Sequence, residues 1–159
     1  MIAPQDRRWH NHWAHFLAFG FGSGASPKAP GTMGTLAAIP VFLLLVQLPV
    51  WAYALVVIAA FFFGWYLCEQ VSKDLGVHDH GGIVWDEFVG FWITMLLVPI
   101  TWWTVLLGFV LFRFFDVIKP WPISWLDAKV HGGLGIMIDD VIAGVFAWIV
   151  LQALLYWLF

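Results

Sequence analysis

The chain has 159 residues, 62% of them hydrophobic and only 11% charged, with 12 Trp and 15 Phe. A soluble domain carries roughly 25% charged residues and has no surface on which to leave so much apolar area. That excludes an ordinary soluble domain, and a formal net charge of −3 argues against nucleic acid as a partner.

In chain order, residues 1–15 hold Asp6, Arg7, Arg8, His10, His12 and His15 and read as an interfacial lead-in. They lack the apolar core of a secretory signal, so the membrane segments themselves are expected to direct insertion. Residues 16–34 carry five glycines and two prolines and read as a loop, with Thr32 or Thr35 capping a helix that begins near residue 33. Apolar run one covers about 33–48 and contains Pro40. Run two covers 50–68, joined to run one by Gln47, Leu48 and Pro49 in a tight hairpin. A polar connection follows over 69–85. Run three spans 86–98 and stops before Pro99, and run four spans 101–115. A second polar connection takes up 113–138, and run five covers 139–158.

These signals predict an all-α chain: a polytopic membrane bundle of about five membrane helices with glycine-rich cytoplasmic loops. It reads as a single domain over 1–159, with residues 1–32 as lead-in and loop and 33–158 as the bundle. Runs one, three and four fall short of the ~20 residues a straight crossing needs. They reach that length only by drawing their charged ends to the bilayer edge; run one could instead be a half-spanning hairpin arm. Many tryptophans, among them Trp13, Trp51, Trp85, Trp102, Trp121, Trp125 and Trp157, lie near segment ends, as interfacial anchors do. The lone Cys68 reads as a small buried hydrophobe.

All seven Lys and Arg lie in 1–34, 69–85 or 113–138, and the joints near 47–50 and 98–103 carry none. Basic loops stay in the cytoplasm, so the N-terminus is expected inside and the C-terminus outside. All ten carboxylates lie in these three regions or in the two residues that directly follow one, and share that side.

Charged groups at a bilayer edge are costly and usually functional. Two adjacent pairs stand out, Asp86-Glu87 and Asp139-Asp140, with Asp79 and Asp116 beside them. Each pair follows a glycine stretch: Gly81-Gly82 before the first, Gly132, Gly133 and Gly135 before the second. The same arrangement twice suggests that glycine loops deliver carboxylates to helix starts, where the dipole favours anions. Plain helix-end acids are the simpler reading, but two adjacent acids exceed what a cap needs. Clustered carboxylates repel unless a cation joins them, and an all-oxygen site suits a hard ion such as Mg²⁺. Metal ligands are therefore expected among Asp79, Asp86, Glu87, Asp139 and Asp140. Catalytic roles are expected among the same aspartates, Asp116 and His78. His78 and His80 could bind zinc as a pair, but their neighbours are carboxylates.

Arg113, Asp116 and Lys119 recur every three residues and share a helix face. They read either as an internal ion-pair set or as a phosphate clamp, with Arg113 as a fork and Lys119 as a point charge. The loop Gly20–Gly24 is not a P-loop, since no Gly-Lys-Ser/Thr follows. Its amides could still cradle phosphate, with Ser23, Lys28 and Thr32 as side-chain contacts. Glu69, Lys73, Asp127 and Lys129 read as ordinary solvated charges.

Four blocks carry a resemblance: GFGSG-x-x-P-x-x-PGTMGTLAAIP at 20–40, DLGVHDHGGIVWDEFVG at 74–90, RFFDVIKPWPI at 113–123 and HGGLGIMIDDVIAGV at 131–145. They resemble the phosphatidylglycerophosphatase A family. The resemblance implies an all-α, Mg²⁺-dependent phosphatase of the bacterial inner membrane. Its substrate would be phosphatidylglycerophosphate, hydrolysed to phosphatidylglycerol and phosphate. The residues alone reach only a cytoplasm-facing Mg²⁺ site near a lipid surface that could hold phosphate. They leave open a divalent-cation transporter, disfavoured because the acids lie on one side, and a lipid phosphotransferase.

Overall fold

The computed structural model describes residues 13–76 and 81–158. The described residues form helices and no strands: α1 (Trp13–Ala18), a 3-10 turn (Ser23–Ala25), α2 (Pro30–Leu45), α3 (Val50–Leu75), α4 (Trp85–Thr94), α5 (Trp102–Ile118), α6 (Ile123–Lys129) and α7 (Gly132–Leu158).

The all-helical expectation holds, but the element bounds differ from those read in the sequence. The segment 16–34 is not all loop. α1 occupies its start, and α2 begins at Pro30 with Ala29 in the left-handed region at the N-cap. Neither Thr32 nor Thr35 caps it; Thr35 Oγ1 donates back to Gly31 O at 2.9 Å inside the helix. Proline at the first helical position is preset for the helix and lacks an amide that would go unbonded anyway. The connection 69–85 is helical as far as Leu75, where Gly76 turns the chain at φ 69°. Run three shrinks to ten helical residues, because the chain leaves the helix after Thr94. α5 opens on a reciprocal cap between Thr101 and Thr104.

The largest shift is in α7. It begins at Gly132, not at Asp139, so both aspartates lie inside the helix and not at its mouth. Gly133 permits this: a Cβ there would lie 2.5 Å from Trp65 O and 2.6 Å from Glu69 N, so only glycine lets α7 start against α3. Glu69 Oε2 accepts the Gly133 N–H at 2.6 Å. Glu69 is thus the cap of α7 and not a free solvated charge.

α4 is the centre of the molecule. Of its ten residues only Ile93 is not buried, as expected of a short helix apolar on every side. It packs beside α7, α2 and α3. α4 and α7 cross at glycines: a Cβ on Gly144 would lie 2.5 Å from Gly90 O. Thr94 Oγ1 donates to Gly144 O at 3.1 Å across the same crossing. Small residues at a crossing let two helix backbones meet, as they do in membrane bundles. Further along, Trp148 Nε1 donates to Leu96 O at 2.7 Å, so the two helices run the same way. α3 runs opposite to them, fixed by Trp85 Nε1 donating to Ala60 O at 3.0 Å and Tyr53 Oη donating to Trp92 O at 2.5 Å. Trp85 is therefore a core residue, whereas Trp102, Trp121 and Trp157 are more than three-quarters exposed.

These directions bring the starts of α2, α4 and α7 together with the ends of α3 and α5. Every described charged side chain falls at this end or in the segments that join helices there. α1 is held to the end of α3 by His15 Nε2 and Asp74 Oδ2, 3.0 Å apart. By length and composition, two stretches can cross a membrane, Val50–Asp74 in α3 and Gly132–Leu158 in α7. α2 with 16 residues, α5 with 17 and α4 with 10 are shorter than a straight crossing needs.

Candidate active site

Asp86 and Glu87 occupy the first turn of α4 and are both buried. They lie four and three residues before Gly90, the crossing point with α7. Asp140 lies four residues before Gly144 on the facing helix. One helical turn separates each acid from the crossing, so the glycine contact itself aligns the two acidic turns. Asp86, Glu87 and Asp140 each offer a carboxylate oxygen within 4.8 Å of the others.

These acids line a cavity of about 270 Å³ with Asp116, Asp139 and Lys119. Pro30 and Gly31 at the start of α2, and Gly81, complete part of its wall. A larger cavity of about 640 Å³ at the opposite end, beside Leu97, Trp103 and Tyr156, is lined by no ionisable group but Tyr156. The ionisable groups gather at the smaller one.

Two cations serve the cluster. Arg113 Nη1 lies 3.5 Å from Glu87 Oε1 and also donates to Asp116 Oδ2. Its guanidinium is turned onto those carboxylates and does not line the cavity. Lys119, the left-handed C-cap of α5, does line it. Its Nζ lies 3.7 Å from Asp139 Oδ2 and 4.0 Å from Asp116 Oδ1. Burial pulls the Lys119 pKa down, but Asp116, Asp139, Asp140 and Asp127 more than offset that and leave it above the usual lysine value. The ammonium therefore stays charged at neutral pH.

Ionised together, five carboxylates beside two cations would leave excess negative charge in a buried space. Glu87 Oε2 and Asp140 Oδ2 are buried with no hydrogen-bond partner. An uncompensated buried charge costs several kcal/mol. Oxygen-only donors with open lone pairs at this spacing fit a hard divalent cation. Asp86, Glu87 and Asp140 are the residues that could hold it.

The remaining expected residues fall elsewhere. His78, Asp79 and His80 lie outside the described residues; Gly81, which follows them, is at the cavity. The Ser23 hydroxyl donates to Gly20 O at 2.8 Å within its own turn. Lys28 is exposed, and Thr32 sits half-buried in the first turn of α2. None of these three lines the cavity. The sequence reading overlooked Gly31, whose Cβ would lie 2.8 Å from Glu87 Oε1 and 3.0 Å from Arg113 Nη1. The proline before it, marking a helix start, was the available signal.

Comparison with known proteins puts this helical, acid-lined chain in the class of phosphatases. The sequence model of the family Phosphatidylglycerophosphatase A matches residues 16–155, and the chain belongs to that family. It is 57% identical to phosphatidylglycerophosphatase A of Escherichia coli K12 over 91% of this chain and 84% of that one. It is 49% identical to phosphatidylglycerophosphatase A of Haemophilus influenzae over 91% and 90%. A Bacteroides thetaiotaomicron protein provisionally named a phosphatidylinositol-3-phosphatase is 39% identical over 85% and 89%. No solved structure gives a significant match.

Proposed function

We propose that this protein hydrolyses the phosphomonoester of phosphatidylglycerophosphate to phosphatidylglycerol and phosphate, with Mg²⁺, at the cytoplasmic face of the bacterial inner membrane. The observation that carries the reading is the buried convergence of Asp86, Glu87 and Asp140 within 4.8 Å, in a chain of this family. The whole chain acts as one domain. α2, α3, α4 with the segment after it, α5 and α7 make five passes, and the charged end faces the cytoplasm.

Asp86, Glu87 and Asp140 hold the cation, with Asp139 beside them and Asp79 as a further ligand. Bound Mg²⁺ supplies positive charge against the phosphate oxygens. Lys119 neutralises charge on the phosphoryl group as it transfers. Asp116 sets the Lys119 ammonium and the Arg113 guanidinium in place. Through Glu87 and Asp116, Arg113 fixes carboxylates that would otherwise repel. A water attacks phosphorus, the bond from phosphorus to the glycerol oxygen breaks, and that oxygen takes up a proton. Carboxylates of the cluster accept the water's proton. His78 is a further catalytic group, and Ser23, Lys28 and Thr32 are contacts for the phosphate-bearing headgroup.

The test is phosphate release from phosphatidylglycerophosphate by the purified protein in detergent, without nucleotide. Release that stops in excess chelator and returns with Mg²⁺ is expected, with slower release from phosphatidylinositol 3-phosphate. Full release in chelator refutes the metal reading. A preference for the inositol lipid moves the substrate to the one named for the Bacteroides relative.

A further inference from the structure

The positive features that face the cavity are few. Among the described residues, Arg113 is turned onto Glu87 and Asp116 and the start of α4 carries its own acids, Asp86 and Glu87, which leaves Lys119 and the start of α2. α2 is 16 residues long, has no acid in its first turn, and has no side-chain cap on its N-cap residue Ala29. The first amides of a helix have no intrahelical partner and carry the positive end of its dipole. Pro30 has no amide to give, so the first that α2 can offer are those of Gly31 and Thr32. Gly31 is part of the cavity wall.

A helix start alone is not a site, and a second observation points to a ligand here. In the same cavity Glu87 Oε2 and Asp140 Oδ2 have no hydrogen-bond partner, on residues only 7% and 2% exposed. A bound cation would give both a partner. An anion bound to that cation then needs donors on its far side. Gly31 lets the start of α2 pack directly on the cluster: a Cβ would press on Glu87 Oε1 at 2.8 Å and on the Arg113 guanidinium at 3.0 and 3.1 Å.

We propose that the first turn of α2 is the phosphate-binding wall of the site. The Gly31 amide and the Lys119 ammonium hold phosphate oxygens at the cavity wall beside the carboxylates, and Gly31 is glycine so that the start of α2 can come this close to the cluster. The ligand class is a phosphate monoester dianion or inorganic phosphate. The inference rests on the phosphatase reading above.

Pro30–Gly31 is the one Pro–Gly pair in the chain. Labelling with carbonyl-¹³C proline and ¹⁵N glycine therefore gives a single amide signal, that of Gly31, in the intact protein in detergent. Inorganic phosphate is titrated in with Mg²⁺ present. The Gly31 signal is expected to move at the concentrations that inhibit phosphate release, and not to move with phosphate in excess chelator. Gly31→Ala keeps the amide but its methyl presses on Glu87 and Arg113 and moves the start of α2 off the cavity, and is expected to raise the phosphate inhibition constant about tenfold or more. If that variant does not fold, the wild-type titration still decides. A Gly31 amide that stays still while phosphate inhibits overturns the inference and leaves the hydrolase reading standing. Absence of inhibition by phosphate overturns it as well. If the wild type releases no phosphate from phosphatidylglycerophosphate, the underlying reading fails instead.

Discussion

Glu87 joins three parts of the site. It takes an ion pair from Arg113, lies beside the Gly31 backbone, and shares the three-carboxylate cluster with Asp86 and Asp140. Such a cluster is stable only with compensating charge, so its acids should matter more to turnover than to folding. Asp86→Asn and Asp140→Asn are expected to cut turnover at least ~10²-fold, since a metal-bound carboxylate stabilises the transition state by several kcal/mol. The amide is nearly isosteric and relieves repulsion, so melting without Mg²⁺ should hold or rise. Asp127→Asn, on exposed α6, should leave turnover near wild type. Wild-type rates in both cluster variants would reduce these acids to structural groups. The cluster was largely legible in the sequence, because acids in apolar segments stand out. The position of Arg113 behind it was not: the i, i+3 spacing puts Arg113 and Lys119 on one face, but only the end of α5 decides which of them meets the cavity.

At the scale of elements, two contacts set the register of the site. The first is the Gly90–Gly144 crossing of α4 and α7. Gly144→Ala puts a methyl against a backbone carbonyl that cannot swing away. It should cost ~1–3 kcal/mol of stability, the range for overpacking. It should also lower turnover, because moving α4 carries Asp86 and Glu87 away from Asp140, and a shift of about 1 Å at a site can cost ~10²-fold. Gly108→Ala meets first the flexible Met95 Sδ, away from the acids, and should leave turnover unchanged. Equal turnover losses in the two variants would mean that the crossing has no special role. The second contact is the Glu69 cap on α7. Glu69→Gln weakens a charge-assisted acceptor at a helix start and should cost about 1 kcal/mol in thermal or denaturant unfolding, with turnover unchanged. Unaltered stability would show that the Gly133 amide is satisfied otherwise. The paired glycine stretches were visible in the sequence, but the role read into them holds only at 81–82, which do precede the start of α4. At 132–135 the glycines are already helical; Gly132 and Gly133 pack against α3 and Gly135 against Val130.

For the whole molecule, the parallel and antiparallel helix directions collect the described charges at one end and leave apolar side chains such as Phe62, Val110 and Ile149 exposed along the rest. A cysteine placed at Lys73 should react with an impermeant reagent only after the cells are opened, and one placed at Gln47 should react in intact cells. The reverse pattern would invert the proposed orientation. The amino-acid sequence by itself determined the helical class, the one-sided distribution of charge and the family, because hydropathy, loop composition and contiguous motifs are local properties of a chain. It also marked the acids, since a carboxylate in an apolar segment is conspicuous wherever it ends up. Only the tertiary structure decided which acids meet, that α7 starts at Gly132, that Trp85 is core and Glu69 a cap, and that Gly31 walls the cavity. Each of these depends on how closely two backbones approach, and that distance is set between segments far apart in the chain.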